Sequence, residues 1–106
     1  VEPSASPFLT KGEKGSHKIE GIGAGFCPQT LLRSVLDEIL CVTDEEAYTC
    51  ARELAKTDGV FAGISSGAAL AASIALAHRK ENAGKKIAMI FPDGGGRYLS
   101  TPLWSL

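Results

Sequence analysis

The sequence predicts an α/β fold with parallel strands, because short strand patterns alternate with two helix patterns along the chain. The second helix pattern, residues 68–77, is apolar on nearly every face and must therefore be covered from several sides. The apolar run 87–91 is typical of a strand in a sheet that is covered on both faces. A chain of 106 residues forms at most one small domain, so these patterns indicate part of a larger sheet.

The first forty residues contain few regular elements. Val1, Glu2 and Pro3 are typical of a buried strand that ends in a loop, and we expect the chain to begin within a fold. Residues 3–16 hold many turn formers and little apolar periodicity, which predicts a surface loop. Residues 31–36 predict one irregular helical turn, and residues 37–42 predict a short strand.

The first long helix has clear signals at both ends. Thr43 can cap its first turn, and Glu46 three residues later completes a capping box. Gly59 is placed to end the helix. A short strand is predicted over residues 60–62, and the second helix begins near Ser66.

Composition excludes several classes of protein. The net charge of −1 lacks the basic excess of a broad nucleic-acid surface, so we expect no nucleic-acid partner. No apolar run reaches the roughly 18–20 residues of a membrane span, so we expect no membrane segment. The three cysteines have neither disulfide-framework nor zinc spacing, which favours a reducing compartment and predicts a cytoplasmic protein.

Two hydroxyls begin the second helix, within Gly63-Ile64-Ser65-Ser66-Gly67. Backbone N–H groups and the dipole at the amino end of a helix favour an acceptor or an anion. Ser65 is therefore a candidate binding residue. The alternative is that Ser65 or Ser66 only caps the helix. The Gly-x-Ser-x-Gly pattern resembles a hydrolase elbow, but no acid and base partners accompany Ser65.

A glycine-rich segment is the second candidate site. Gly21, Gly23 and Gly25 alternate with Ile22 and Ala24. Glycine permits positive φ and close approach of the backbone to another group. The spacing does not match the dinucleotide-binding fingerprint. The segment is either a tightly packed turn or a stretch of backbone that lies against a ligand.

Three further side chains have two interpretations each. Asp93, which follows Pro92 at the end of the predicted strand 86–91, is either a functional carboxylate or a residue that shapes its turn. His17 is expected to be solvated in a loop rather than to act chemically. His78 is explained by the carboxyl end of the second helix.

Four motifs in this order and spacing make the chain resemble the cysteine synthases, or O-acetylserine sulfhydrylases. These are pyridoxal-phosphate enzymes of the tryptophan-synthase-β fold type. The resemblance covers all 106 residues but only the last third of such an enzyme. It implies that residues 1–106 are a C-terminal fragment of the larger cofactor-binding domain, a three-layer parallel-sheet domain of fold type II. The motifs are Val1-Glu2-Pro3, His17-Lys18-Ile19-x-Gly21-Ile22-Gly23-Ala24-Gly25-Phe26, Gly63-Ile64-Ser65-Ser66-Gly67-Ala68-Ala69 and Arg97-Tyr98-Leu99-Ser100-Thr101.

The resemblance implies roles for seven residues. Ser65 matches the serine that hydrogen-bonds the pyridine nitrogen of the cofactor, and a neutral hydroxyl there suits β-elimination. The loop that faces the amino-acid substrate matches Gly21, Ile22, Gly23 and Ala24. The loop near the cofactor ring begins at Pro92 and Asp93.

The sequence departs from the family pattern at two places. Glu20 stands where the family commonly has Gln. The triplet 94–96, which is all glycine, stands where the family usually has Ser-Gly-Glu or Asn-Gly-Glu, so that loop lacks the family's side chains for hydrogen bonds to the cofactor.

The resemblance also implies that essential parts lie outside these residues. The lysine that carries the cofactor as a Schiff base, the loop that binds the substrate carboxylate and the loop that binds the cofactor phosphate precede this region in the family. No lysine of this sequence has the family's lysine context, so we expect the isolated chain to be inactive. The lysines are Lys11, Lys14, Lys18, Lys56, Lys80, Lys85 and Lys86.

For the complete enzyme, the resemblance implies replacement of the acetate of O-acetylserine by sulfide to give L-cysteine. It also implies a homodimer and possible docking of the C-terminal tail of serine acetyltransferase. Two alternatives stay open at this point. The chain could belong to a relative such as a cystathionine β-synthase or a threonine dehydratase, or it could be a non-catalytic interaction remnant.

Overall fold

The computed structural model describes residues 1–105. Two strands, β1 (Glu2–Pro3) and β2 (Cys41–Val42), pair in parallel with Glu2 opposite Cys41. A short helix, α1 (Phe8–Lys11), follows β1. Two longer helices, α2 (Asp44–Asp58) and α3 (Ile64–Ala77), form the centre of the structure. Single 3-10 turns occur at Arg33–Val35, Lys80–Asn82, Gly95–Tyr98 and Pro102–Trp104.

Both ends of α2 are as the sequence predicts. The Thr43 side chain accepts a hydrogen bond from the Glu46 N–H, and the Glu46 carboxylate accepts one from the Thr43 N–H, which is the reciprocal capping box. Gly59 ends the helix with a φ of 68° in the left-handed region. The irregular turn predicted over residues 31–36 is the 3-10 turn Arg33–Val35.

Helices α2 and α3 pack closely through small residues. A side chain at Gly67 would overlap the carbonyl oxygen of Ala47, so only glycine allows this approach. Ala47, Ala51 and Ala68 are almost fully buried at the same contact. The core thus rests on backbone proximity as much as on large side chains.

The predicted strand over residues 86–91 is wrong for this structure. Those residues have no regular secondary structure, and Ile90 is 79% exposed. A strand buried on both faces needs a neighbour on its hydrogen-bonding edge, and residues 1–105 supply none there. The strand predicted over residues 60–62 is reduced to one antiparallel bridge between Ala62 and Gly94.

Three other expectations need correction. The predicted surface loop 3–16 contains α1 and buries Ser6 completely. The strand predicted over residues 37–42 is limited to β2. The second half of α3 is only partly covered, with Ile74 43% exposed, because no layer of residues 1–105 packs over that side.

Within residues 1–105, every helix is too short or too polar to cross a lipid bilayer.

Candidate functional site

Ser65 lies in the first turn of α3 and does not cap it. The residue at the N-cap position is Gly63, and no side chain supplies a cap hydrogen bond there. The interpretation of Ser65 or Ser66 as a helix cap is therefore wrong. Ser65 is 7% exposed, and its hydroxyl forms no hydrogen bond within residues 1–105. A hydroxyl without a protein partner is available to a ligand.

Ser66, its neighbour, has a structural role. Its hydroxyl donates a hydrogen bond to the carbonyl oxygen of Asp93 at 3.4 Å. The N–H of Gly63 donates to the same oxygen at 3.1 Å. These two bonds fasten the loop after residue 92 to the start of α3, beside Ser65.

The carboxylate of Asp93 points toward the same place. Its Oδ2 accepts a hydrogen bond from the Tyr98 hydroxyl at 2.5 Å, while its Oδ1 is buried with no partner within residues 1–105. A side chain at Gly63 would overlap that unpartnered oxygen. Burial, together with the hydrogen bond to Asp93, raises the pKa of Tyr98 to about 12. Asp93 thus both shapes its turn and leaves one acceptor unused.

The glycine-rich segment meets Ser65 directly. Gly21, Gly23 and Gly25 have φ values of 96°, 66° and 78°, which other residues rarely adopt. A Cβ placed on Gly21 would lie 3.9 Å from the Ser65 Oγ. The structure therefore brings together the two candidate sites that are more than forty residues apart in the sequence. The segment also lines a cavity of about 350 Å³ with Val1 and α1.

His17 holds this segment in place, whereas the sequence predicted a solvated loop residue there. Its Nε2 lies 3.0 Å from the Gly23 carbonyl oxygen, and its Nδ1 accepts a hydrogen bond from the Ile19 N–H at 3.1 Å. The residue is half-buried rather than solvated. The sequence signal that could have indicated this partial burial is the position of His17 two residues before the apolar Ile19, which is fully buried.

The lysines lie on the surface of this part of the protein. All seven are exposed to solvent. A lysine that forms a Schiff base needs a low pKa, which burial or a nearby cation provides. None of the seven is buried within the described residues.

Comparison with known proteins decides the family. The family model described as "Pyridoxal-phosphate dependent enzyme" matches residues 1–93. The chain belongs to this family. Its fold is thus that of fold type II pyridoxal-phosphate enzymes, and the family's cofactor is pyridoxal phosphate.

Similar proteins point to one branch of the family. The chain is 49% identical to a cysteine synthase of Buchnera aphidicola, with 99% of the chain and 35% of that protein covered. It is 48% identical to a cysteine synthase of Staphylococcus aureus, with 99% and 34% covered. A crystal structure of Entamoeba histolytica cysteine synthase superimposes with a TM-score of 0.97 at 44% identity, covering all of this chain and 31% of that one. The chain thus spans about a third of the length of these relatives.

The residues present fit the family's cofactor. Ser65 supplies an unpartnered neutral hydroxyl in a nearly buried position, which suits a hydrogen bond to a pyridine nitrogen. The Gly21 backbone passes beside this hydroxyl without a side chain, since a Cβ there would lie 3.9 Å from the Ser65 Oγ.

Proposed function

We propose that this chain forms the C-terminal part of the cofactor-binding domain of a cysteine synthase. The complete protein would replace the acetate of O-acetylserine by sulfide and release L-cysteine. The observation that carries the proposal is the free Ser65 hydroxyl beside the Gly21 backbone. Similarity to cysteine synthases over 99% of the chain supports the same reaction.

Each element of the site has a task in this proposal. Ser65 would hold the pyridine nitrogen of the cofactor through a neutral hydrogen bond, which does not require that nitrogen to be protonated. Gly21, Ile22, Gly23 and Ala24 form the backbone wall against which the amino-acid substrate lies. When bound, pyridoxal phosphate supplies the electron sink that permits loss of the acetate group.

Pro92 and Asp93 would close the cofactor side of the site. The bonds from Ser66 and Gly63 to the Asp93 carbonyl oxygen keep this loop against α3. Asp93 itself is held by Tyr98, so the loop has a fixed position before any ligand binds. The three glycines at 94–96 contribute no side-chain hydrogen bonds. We therefore assign cofactor binding on this side to Pro92 and Asp93.

Several properties of the complete protein are part of the proposal. The exposed lysines support a Schiff-base lysine outside residues 1–106 and an inactive isolated chain. Three free cysteines support a reducing, cytoplasmic location. We further propose a homodimer that can bind the C-terminal tail of serine acetyltransferase, on the strength of the family resemblance.

The test uses a complete polypeptide. The chain is joined after the remaining two thirds of the S. aureus cysteine synthase, which is 48% identical to it over the matched region. Purified protein is loaded with pyridoxal phosphate and supplied with O-acetylserine and sulfide, and L-cysteine and acetate are measured. Formation of both products in equal amounts is expected. Loaded protein that forms neither would refute the proposal.

Variants of Ser65 test the residue that carries the argument. Ser65→Ala removes one neutral hydrogen bond, worth about 0.5–1.5 kcal/mol, so we expect cysteine formation to slow roughly two- to tenfold. Ser65→Asp places a carboxylate at the ring nitrogen and favours its protonated form, so we expect a larger loss. Ser73→Ala is the matched control, because Ser73 is also buried in α3 but bonds only the Ala69 carbonyl of its own helix. If Ser65→Asp works as fast as the parent, Ser65 has no role at the ring.

The nucleophile needs its own arm of the experiment. A structure of an O-acetylserine dependent cystathionine β-synthase from Helicobacter pylori superimposes with a TM-score of 0.87 at 40% identity. Sulfide and a larger thiol are therefore compared as second substrates. A preference for the larger thiol would assign the chain to that relative.

A further inference from the structure

The two hydrogen bonds of His17 define which ring nitrogen carries the proton. The Ile19 N–H can only donate, so Nδ1 must offer its lone pair. The Gly23 carbonyl oxygen can only accept, so Nε2 must carry the hydrogen. Both bonds form together only in the neutral ring with its proton on Nε2.

The bond to Gly23 also fixes the direction of the next N–H. The Gly23–Ala24 peptide is trans, so the Gly23 C=O and the Ala24 N–H point in opposite directions. Because the carbonyl faces His17, the Ala24 N–H faces away from it. Ala24 is exposed, and its N–H has no hydrogen-bond partner within residues 1–105.

Tight packing prevents the segment from turning over. A Cβ on Gly23 would lie 2.6 Å from His17 Nε2 and 2.5 Å from Pro3 Cγ, so the glycine is held between these two side chains. Pro3 belongs to β1 and is itself buried. The imidazole and the proline ring therefore form one wall for the segment.

We propose that His17 is a positioning residue for the substrate segment. Its neutral Nε2–H form holds the Gly23 carbonyl and thereby presents the Ala24 N–H as a donor to an acceptor oxygen of the amino-acid substrate. This inference rests on the proposed function for the identity of the substrate. The hydrogen-bonding state of the ring does not depend on it.

The first measurement is the ring spectrum of His17. Histidine labelled with ¹⁵N is incorporated into the complete polypeptide, and the His17 signals are assigned by their loss in His17→Gln. One protonated Nε2 and one unprotonated Nδ1 are expected. Nδ1 protonation, or averaging of the two tautomers as in a free imidazole, would overturn the proposal.

The second measurement is the kinetics of three His17 variants. His17→Ala should raise the KM for O-acetylserine about three- to tenfold with kcat changed less than twofold, because ground-state binding loses a positioned donor. His17→Gln places an amide N–H near the Nε2 position and should restore most of the loss. His17→Asn reaches only the Nδ1 position and should not. If His17 had a purely structural role, His17→Gln and His17→Asn would not differ in their KM for O-acetylserine.

His78 provides the matched control. It is the second of two histidines in the chain, is exposed, and lies at the carboxyl end of α3. His78→Asn should leave KM and kcat as in the parent. A His17→Ala variant with the same KM as His78→Asn would refute the proposal. If the complete polypeptide forms no cysteine, the proposed function is wrong, and the ring spectrum alone then decides whether His17 holds the segment.

Discussion

Gly23→Ala tests the central packing of the site. Gly23 has a φ of 66°, and the left-handed conformation costs an L-residue about 1–2 kcal/mol. The added methyl would also lie only 2.5 Å from Pro3 Cγ and 2.6 Å from His17 Nε2. Neither neighbour is the end of a flexible side chain, so the segment has to move. Overpacking of this kind typically costs about 1–3 kcal/mol.

Two other glycines separate the conformational cost from the collision. Gly59 and Gly84 have φ values of 68° and 76°, and a Cβ at either would meet nothing within 4 Å. Gly59→Ala and Gly84→Ala should each lower the free energy of unfolding by only the conformational cost of about 1–2 kcal/mol. Gly23→Ala should lower it by about 2–5 kcal/mol, the sum of both costs.

The assay is denaturant unfolding of the complete polypeptide, followed by the KM for O-acetylserine. Gly23→Ala is expected to raise KM, whereas the two controls are expected to leave it unchanged. If Gly23→Ala is no more destabilising than Gly59→Ala and keeps the KM of the parent, Gly23 is not held between His17 and Pro3 in solution. The argument for the orientation of the Ala24 N–H would then lose its support.

Three further predictions concern stability. Burial opposes ionisation of Glu2, but hydrogen bonds from the Thr10 hydroxyl and from the Leu9 and Thr10 N–H groups outweigh it and lower the pKa of Glu2 from 4.5. The ionised carboxylate should therefore stabilise the fold above pH 4.5, and this stabilisation should fall as acid protonates it. Glu2→Gln should weaken the loss of stability at acid pH when unfolding is measured as a function of pH. Tyr98→Phe removes the hydroxyl that donates to the Asp93 carboxylate and should lower the free energy of unfolding in urea by about 1–3 kcal/mol. Because the pKa of Tyr98 is raised to about 12, the free energy of unfolding of the parent should fall between pH 10 and 12, and that of the variant should not. The isolated chain should self-associate in analytical ultracentrifugation, because residues 86–91 expose apolar side chains, and a monomer that melts cooperatively and reversibly would contradict this.

Local signals in the sequence predicted the two long helices well, but not the short α1. The capping box at Thr43 and the terminal Gly59 are chemical signals that act within one turn, so α2 has nearly the predicted bounds. Residues 86–91 behave differently, because a strand depends on a neighbour that hydrogen-bonds to it. The apolar pattern indicates burial correctly only when the covering layers and the adjacent strand are present.

The candidate site was predicted in its parts but not in its arrangement. Ser65 and the glycine segment were identified from the sequence pattern and the resemblance. Their contact, however, depends on two fully buried residues: Ile19, just before the glycine segment, and Ile64, just before Ser65. Both isoleucines belong to one hydrophobic cluster, so its formation brings the segment to the start of α3. His17 was predicted to be solvated because the role of an imidazole in a loop is evident only when its two partners are known. The burial of Ile19 thus does more than stabilise the fold. It fixes the position of the Ile19 N–H, which donates to His17 Nδ1 and so selects the tautomer of that ring.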